Sequence, residues 1–172
     1  MRPGASPMTT LAPMGEEAFA AFVETSVTGY ADDNVAAGRW TADEALALSR
    51  AEFARLLPQG LATPNNHLFE IREETGGRSV GILWFATVAR GNTNVAYVYQ
   101  LEVHPEFRRR GHARAAFEAM ESLAVAMGLS SIGLHVFGHA PGAQALYSSL
   151  GYQVTGINMQ KRLPVTGARH DA

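Results

Sequence analysis

The sequence predicts a mixed α/β (α+β) fold: a mostly antiparallel sheet flanked by helices. The elements run in the order strand, two helices, three strands, helix, strand, helix, strand. Three successive strands joined by short turns suit an antiparallel meander. The strand–turn–helix–strand unit around Gly111 suits one parallel pair with its crossover. The helices do not alternate with strands throughout, which excludes a doubly wound dinucleotide fold.

Residues 9–14 read as a short first strand. From Gly15 the pattern turns helical, with Phe19, Phe22, Val23 and Val27 at helix spacing and Glu16 and Glu17 in the first turn, where carboxylates complement the dipole. Thr41 and Glu44 have the spacing of a capping box, which starts a second helix reaching about residue 57 and stopped by Pro58 and Gly60. Strands follow at 67–72, 79–88 and 94–104, separated by turns at 73–77 and at Gly91-Asn92 and closed by Pro105. The next helix carries apolar residues at 113, 116, 117, 120, 123, 124 and 127, with Gly128 as its C′ residue. Residues 131–137 are apolar and short, the mark of a buried strand. Residues 140–150 are helical up to Gly151, and 152–161 alternate as a final strand. These elements make a single domain over residues 8–163, with a flexible N-terminus at 1–7 and a C-terminal tail at 164–172.

Composition narrows the function classes. The chain of 172 residues is 47% hydrophobic and 17% charged, enough to bury one full core. A net charge of -2 gives no broad surface for nucleic acid or acidic lipid. No apolar run approaches the roughly 20 residues of a membrane span. Neither nucleic acid nor membrane is therefore expected as a partner. The absence of cysteine removes disulfides, thiolate nucleophiles and iron–sulfur sites, and fits a cytoplasmic location. No pair of histidines has metal-site spacing, so no metal is expected.

The positive charge is local. Four of the fourteen Lys and Arg fall between 108 and 114, in Arg108-Arg109-Arg110-Gly111-His112-Ala113-Arg114. This turn follows an extended run and opens a helix. Unpaired N–H groups and the positive end of the dipole favour an anion there. Gly111 lets the backbone approach a phosphate closely, and Ala113 keeps the first turn small. A concave row of amides holds an anion without a particular side chain, and Arg108 and Arg114 add charge.

Leu101-x-Val103-x-Pro105, Arg108-x-x-Gly111-x-Ala113 and Ala143-x-x-Leu146-Tyr147-x-x-Leu150-Gly151-Tyr152 resemble the GNAT superfamily of N-acetyltransferases over roughly residues 67–162. The resemblance implies acetyl-CoA as co-substrate, its pyrophosphate on the amides of Arg109, Arg110, Gly111, His112, Ala113 and Arg114. It implies main-chain contacts to the pantetheine arm around Leu101 and Val103, on a strand that bulges and splays to leave a slot. His139, in the loop before the last helix, and Ala143 are read as further coenzyme contacts.

The resemblance also implies Tyr147 as the acid that protonates the leaving thiolate. A phenol stays protonated at neutral pH and can donate. The other reading of Tyr147 is packing between helix and sheet. Two residues are candidate bases. His135 matches the position of a catalytic glutamate in related ribosomal-protein alanine acetyltransferases, and its ordinary pKa near 6.5 suits the task. Glu102 lies on the facing strand. A core histidine and a solvated strand residue are the plainer readings of these two. Ala140 stands where the family usually has an asparagine that holds the arm, with Gln144 or His139 as substitutes, and Gln100 stands where many relatives carry a carboxylate.

The acceptor side falls to residues 29–42, with Tyr30, Asp32, Asp33, Arg39 and Trp40, and with Trp84, Phe85, Tyr97 and Tyr99 as candidate pocket walls. The activity implied is direct acetyl transfer to an amine of a small molecule or protein. A non-catalytic acyl-CoA-binding regulatory module is the alternative, and a homodimer is a possible assembly, as in many relatives. A different phosphate-binding protein would need a Walker or Gly-x-Gly-x-x-Gly turn, and the chain has neither.

Overall fold

A computed structural model describes residues 9–161 and 163. The flexible N-terminus expected at 1–7 and the tail expected at 164–172 lie outside the described residues. The elements are β1 (Thr9–Pro13), α1 (Glu16–Ala36), α2 (Ala42–Leu56), β2 (Asn66–Glu73), β3 (Ser79–Arg90), β4 (Thr93–Val103), α3 (His112–Ala126), β5 (Ile132–Leu134) and α4 (Pro141–Ser149). The strands form one sheet in the order β1-β2-β3-β4-β5. The first four are antiparallel, and β5 joins β4 in parallel. The meander and the single parallel pair are thus as the sequence predicts.

Local chemistry explains the boundaries. The Thr41 N–H donates to Glu44 Oε1 at 3.3 Å, completing the capping box of α2. At the end of α3, Gly128 has φ 73°, a left-handed conformation that glycine adopts without strain. Gly81 has a different duty. A Cβ there would fall against the Glu102 carbonyl oxygen, so β3 and β4 approach closely only because the side chain is missing.

Each face of the sheet has its own core. Under α3 lie Phe85, Val98, Val103, Ala116, Phe117 and Met120. Under α1 and α2 lie Phe22, Val27, Phe53, Leu68 and Trp84. On α3 the predicted inner positions 116, 117, 120 and 124 are buried, whereas Leu123 and Met127 flank them and are exposed.

Two expected strands need correction. The one at 131–137 shrinks to Ile132–Leu134, because its ladder with β4 ends at Val98. A strand cannot outlast its partner. Residues 152–161 form no strand. Alternation specifies a face, but a strand also needs a ladder, and this segment has none among the described residues. Val154, Ile157 and Met159 are left 79%, 78% and 93% exposed.

Candidate active site

The site begins with an irregularity in β4. Ala96, Tyr97 and Val98 pair with Ile132, Gly133 and Leu134. Beyond Val98 the β5 chain leaves, while β4 continues to Val103 against β3. Across β3, Trp84 faces Gln100 and Phe85 faces Val98, so Tyr99 is the extra residue of a bulge. A bulge resets which side chains share a face. Val98, Leu101 and Val103 all pack on the α3 side. Tyr99 stacks on Trp84, in the α1–α2 core, at 4.6 Å. Alternation from Gln100 onward then sends Gln100 and Glu102 to that same face. The divergence of β4 from β5 opens a cavity of about 590 Å³.

The arginine–glycine turn follows the end of β4. Arg109 has φ 63° and Gly111 φ 91°, two left-handed residues that curl the backbone into a concave row. The first bond of α3 runs from Ala115 N–H to Gly111 O at 3.0 Å. The amides of His112, Ala113 and Arg114 precede it and have no intrahelical acceptor. This is the backbone expected of an anion cradle.

The side chains of the turn do other work. Arg108 Nε donates to Val103 O at 2.8 Å and its guanidinium lies 3.9 Å from Glu102, tying the turn to β4. Arg110 lies over the Phe107 ring at 5.5 Å. Arg114 donates to Ser149 Oγ at 2.6 Å, joining α3 to α4. The His112 ring is buried; its Nδ1 shares a 3.1 Å hydrogen bond with Thr9 Oγ1, and its Nε2 is 3.7 Å from Glu73. That ring is turned into the protein, leaving only the His112 amide for a ligand.

Tyr147, His135 and Glu102 all line the one cavity, as does Leu101. Tyr147 sits on α4, edge-on to Phe117 at 5.4 Å, and burial pushes its phenol above the ordinary value. It is therefore protonated at neutral pH. His135 stands just past the end of β5, not mid-strand. Arg39 Nη2 donates to His135 Nε2 at 3.3 Å. Accepting that bond puts the ring proton on Nδ1, and burial together with Arg39 holds the imidazole below its usual pKa. Glu102 Oε2 accepts from Gln100 Nε2 at 3.2 Å.

A second crossbar runs parallel to the first. His139 Nε2 donates to Asp33 Oδ1 at 3.2 Å. Phe137 stacks on His139 at 5.3 Å and carries Arg39 over its ring at 5.1 Å. Both crossbars link the α1–α2 region to the chain between β5 and α4. Ala140 lines the cavity without a polar group. Gln144 Nε2 donates to the carbonyls of Phe137 and Gly138 at 3.1 and 3.3 Å, which holds that loop instead of facing a ligand.

Of the residues expected to meet an acceptor, Tyr30, Asp33, Arg39, Trp84, Tyr97 and Tyr99 line the cavity. Asp32 lines a separate cavity of about 410 Å³ between α1 and α2. Phe85 belongs to the opposite core, and Trp40 backs Tyr30 edge-on at 5.4 Å. Sequence reasoning missed the contact of Arg39 with His135 and the presence of Glu52 in the cavity wall. Neither has a local signal, because each is set by how α1 and α2 lie on the sheet. Among the described residues, no group of three or more His, Asp or Glu could hold a metal ion, and no helix is long and apolar enough to cross a membrane.

Comparison with known proteins agrees with this geometry. The acetyltransferase (GNAT) family profile matches residues 21–152. The uncharacterised N-acetyltransferase YycN of Bacillus subtilis (strain 168) is 34% identical over 153 residues, covering 89% of this chain and 97% of its own. The uncharacterised N-acetyltransferase YdgE of the same strain is 33% identical over 154 residues, covering 90% and 98%. The crystal structure of YycN superposes with a TM-score of 0.86 at 33% identity, covering 91% of this chain and 99% of that one.

Proposed function

Starting from a chain that belongs to the GNAT acetyltransferase family, we propose that this enzyme moves an acetyl group from acetyl-CoA directly to an amine. The observation that carries the reading is the convergence of Tyr147, His135 and Glu102 on the gap where β4 leaves β5, next to a left-handed amide cradle.

The residues present fit the co-substrate. The amides of residues 109–114 and the positive end of α3 suit a pyrophosphate. Leu101 offers main-chain groups on an edge that β5 does not cover, and Val103 offers its N–H there, its carbonyl being held by Arg108. Phe137 and Ala140, on either side of His139, line the same cavity, while the His139 ring is engaged by Asp33. When bound, acetyl-CoA supplies an activated acetyl group on a thiol whose free pKa is about 8.5.

The chain's own groups then divide the proton work. Glu102 takes a proton from the acceptor amine as the C–N bond forms. Tyr147 gives its phenolic proton to sulfur as the C–S bond breaks, and regains one from solvent. His135 orients the amine. Its Nε2 lone pair is occupied by Arg39, so Glu102 is the better proton acceptor on this face. With no cysteine in the chain, no acyl-thiol intermediate on the protein is available.

The test is release of free thiol from acetyl-CoA with a panel of primary amines, alongside calorimetry with CoA. Turnover with micromolar to millimolar coenzyme affinity is expected. Tight CoA binding without turnover on any amine would instead assign a regulatory acyl-CoA-binding module. No affinity for CoA would remove both readings.

A further inference from the structure

We infer that the acceptor is a small aliphatic diamine, whose second, unreacting ammonium is held among Tyr30, Tyr99 and Glu52. The inference rests on the acetyl-transfer reading and names the substrate class of that site.

The bulge at Tyr99 makes the acceptor wall aromatic. Tyr99 stacks on Trp84 at 4.6 Å, and Tyr97 meets Tyr99 edge-on at 5.0 Å. Tyr30 closes the wall from α1, edge-on to Phe53 at 6.3 Å. The Trp84 Nε1 donates to Asn66 Oδ1 at 2.8 Å, so the indole is satisfied and presents only its π surface. The phenols sense one another. Burial raises the Tyr99 ionisation and Tyr97 raises it further, while Arg55 acts against them and Glu52 with them. Burial also raises Tyr97, opposed by Arg90 and assisted by Tyr30. Glu52 and Tyr99 line the same cavity, with Arg55 beside them.

The charges of the lining match a cation. Asp33, Glu52 and Glu102 are carboxylates, and Arg39 is the one lysine or arginine among the lining residues. Arg39 is already engaged by His135 and Phe137. Arg55 donates to both Glu52 oxygens, at 2.6 and 2.9 Å. A guanidinium held this way marks the carboxylate as a cation site, and the substrate ammonium has to take the place of the Arg55 side chain, which is itself 66% exposed. Electron-rich faces, phenol oxygens and a carboxylate together hold an ammonium by cation–π and charge-assisted contacts. An anionic acceptor would meet the same carboxylates as repulsion.

The topology supplies the two ends. Tyr147 lies on α4, on the α3 side of the sheet, and Glu52 lies on α2, on the other side. An amine that reacts at the gap between β4 and β5 extends its chain toward α2. A cavity of about 590 Å³ fits a small molecule in that path.

The experiment measures thiol release from acetyl-CoA with putrescine, a diamine, against butylamine, the same carbon chain with one amine. The wild-type enzyme is expected to favour the diamine in kcat/KM by at least about tenfold, the worth of one good cation contact. In Glu52→Gln that advantage shrinks to less than about threefold, chiefly through KM. Tyr99→Leu narrows it as well. Equal kcat/KM for the two amines, an undiminished advantage in Glu52→Gln, or no release with either amine overturns the inference. Acetyl transfer itself is read separately, from CoA binding and from release with other primary amines, and survives any of those outcomes if they are positive.

Discussion

Up to Val98, β4 is mostly packed strand, and only Tyr97 and Val98 of it reach the cavity; from Tyr99 to Glu102 every residue lines it. The first half buries Val95, Ala96 and Val98 and gains β5 as a second neighbour. The second half keeps β3 alone and leaves Tyr99, Gln100, Leu101 and Glu102 partly accessible. One extra residue separates the two. The lesson is that a bulge does more than end a ladder. It frees an edge of backbone for a ligand and turns consecutive polar side chains, Tyr99 and Gln100, toward one face.

The sharpest way to break that division is to damage the support of the packed half. Phe117 is fully buried beneath it and touches Tyr147 edge-on. Phe117→Ala should cost about 3–5 kcal/mol in urea unfolding. A loss under about 1 kcal/mol would mean that this core does not hold the site. On the open side the effect should be kinetic. Tyr147→Phe should lower kcat by about 100-fold or more while unfolding and CoA affinity change little. An unchanged kcat would reduce Tyr147 to packing.

Gly111→Val tests the cradle itself. With φ at 91°, a β-branched residue costs about 1–3 kcal/mol or rearranges the turn. CoA affinity measured by calorimetry should fall about tenfold or more, and retained affinity would place the anion elsewhere. The smallest effect is on His135. Its imidazole is held below the usual value first by burial and then by Arg39. Arg39→Gln removes only the second cause. The ring titration followed by NMR should therefore move up toward, but not reach, the ordinary 6.5. No movement would mean that the 3.3 Å contact is absent in solution.

Much of this was legible in the residues. The capping box at Thr41, the strand turns and the inner face of α3 follow from local spacing. The left-handed turn before α3 was legible because Gly111 stands directly ahead of a helical pattern. The bulge was expected only from the family resemblance, and the structure shows it in the register. Val98 and Leu101 both face the α3 core, three residues apart where strict alternation allows two or four. The end of β5 and the missing final strand were not legible, because they depend on whether a partner runs alongside. The Arg39–His135 and Asp33–His139 crossbars were hidden for a similar reason: each joins residues about a hundred positions apart, through the seating of α1 against the β5–α4 loop. The fate of the arginines was hidden too. Their charge suggested phosphate contact, yet Arg108 and Arg114 brace β4 and α4.

The central claim is that the amides of residues 109–114 hold the coenzyme diphosphate and direct its thioester through the gap beyond Val98. A crystal structure of the complex with CoA tests it most directly. The account predicts the diphosphate on those amides and the sulfur within hydrogen-bond reach of the Tyr147 hydroxyl. A diphosphate bound away from Gly111, or a sulfur remote from Tyr147, would contradict it.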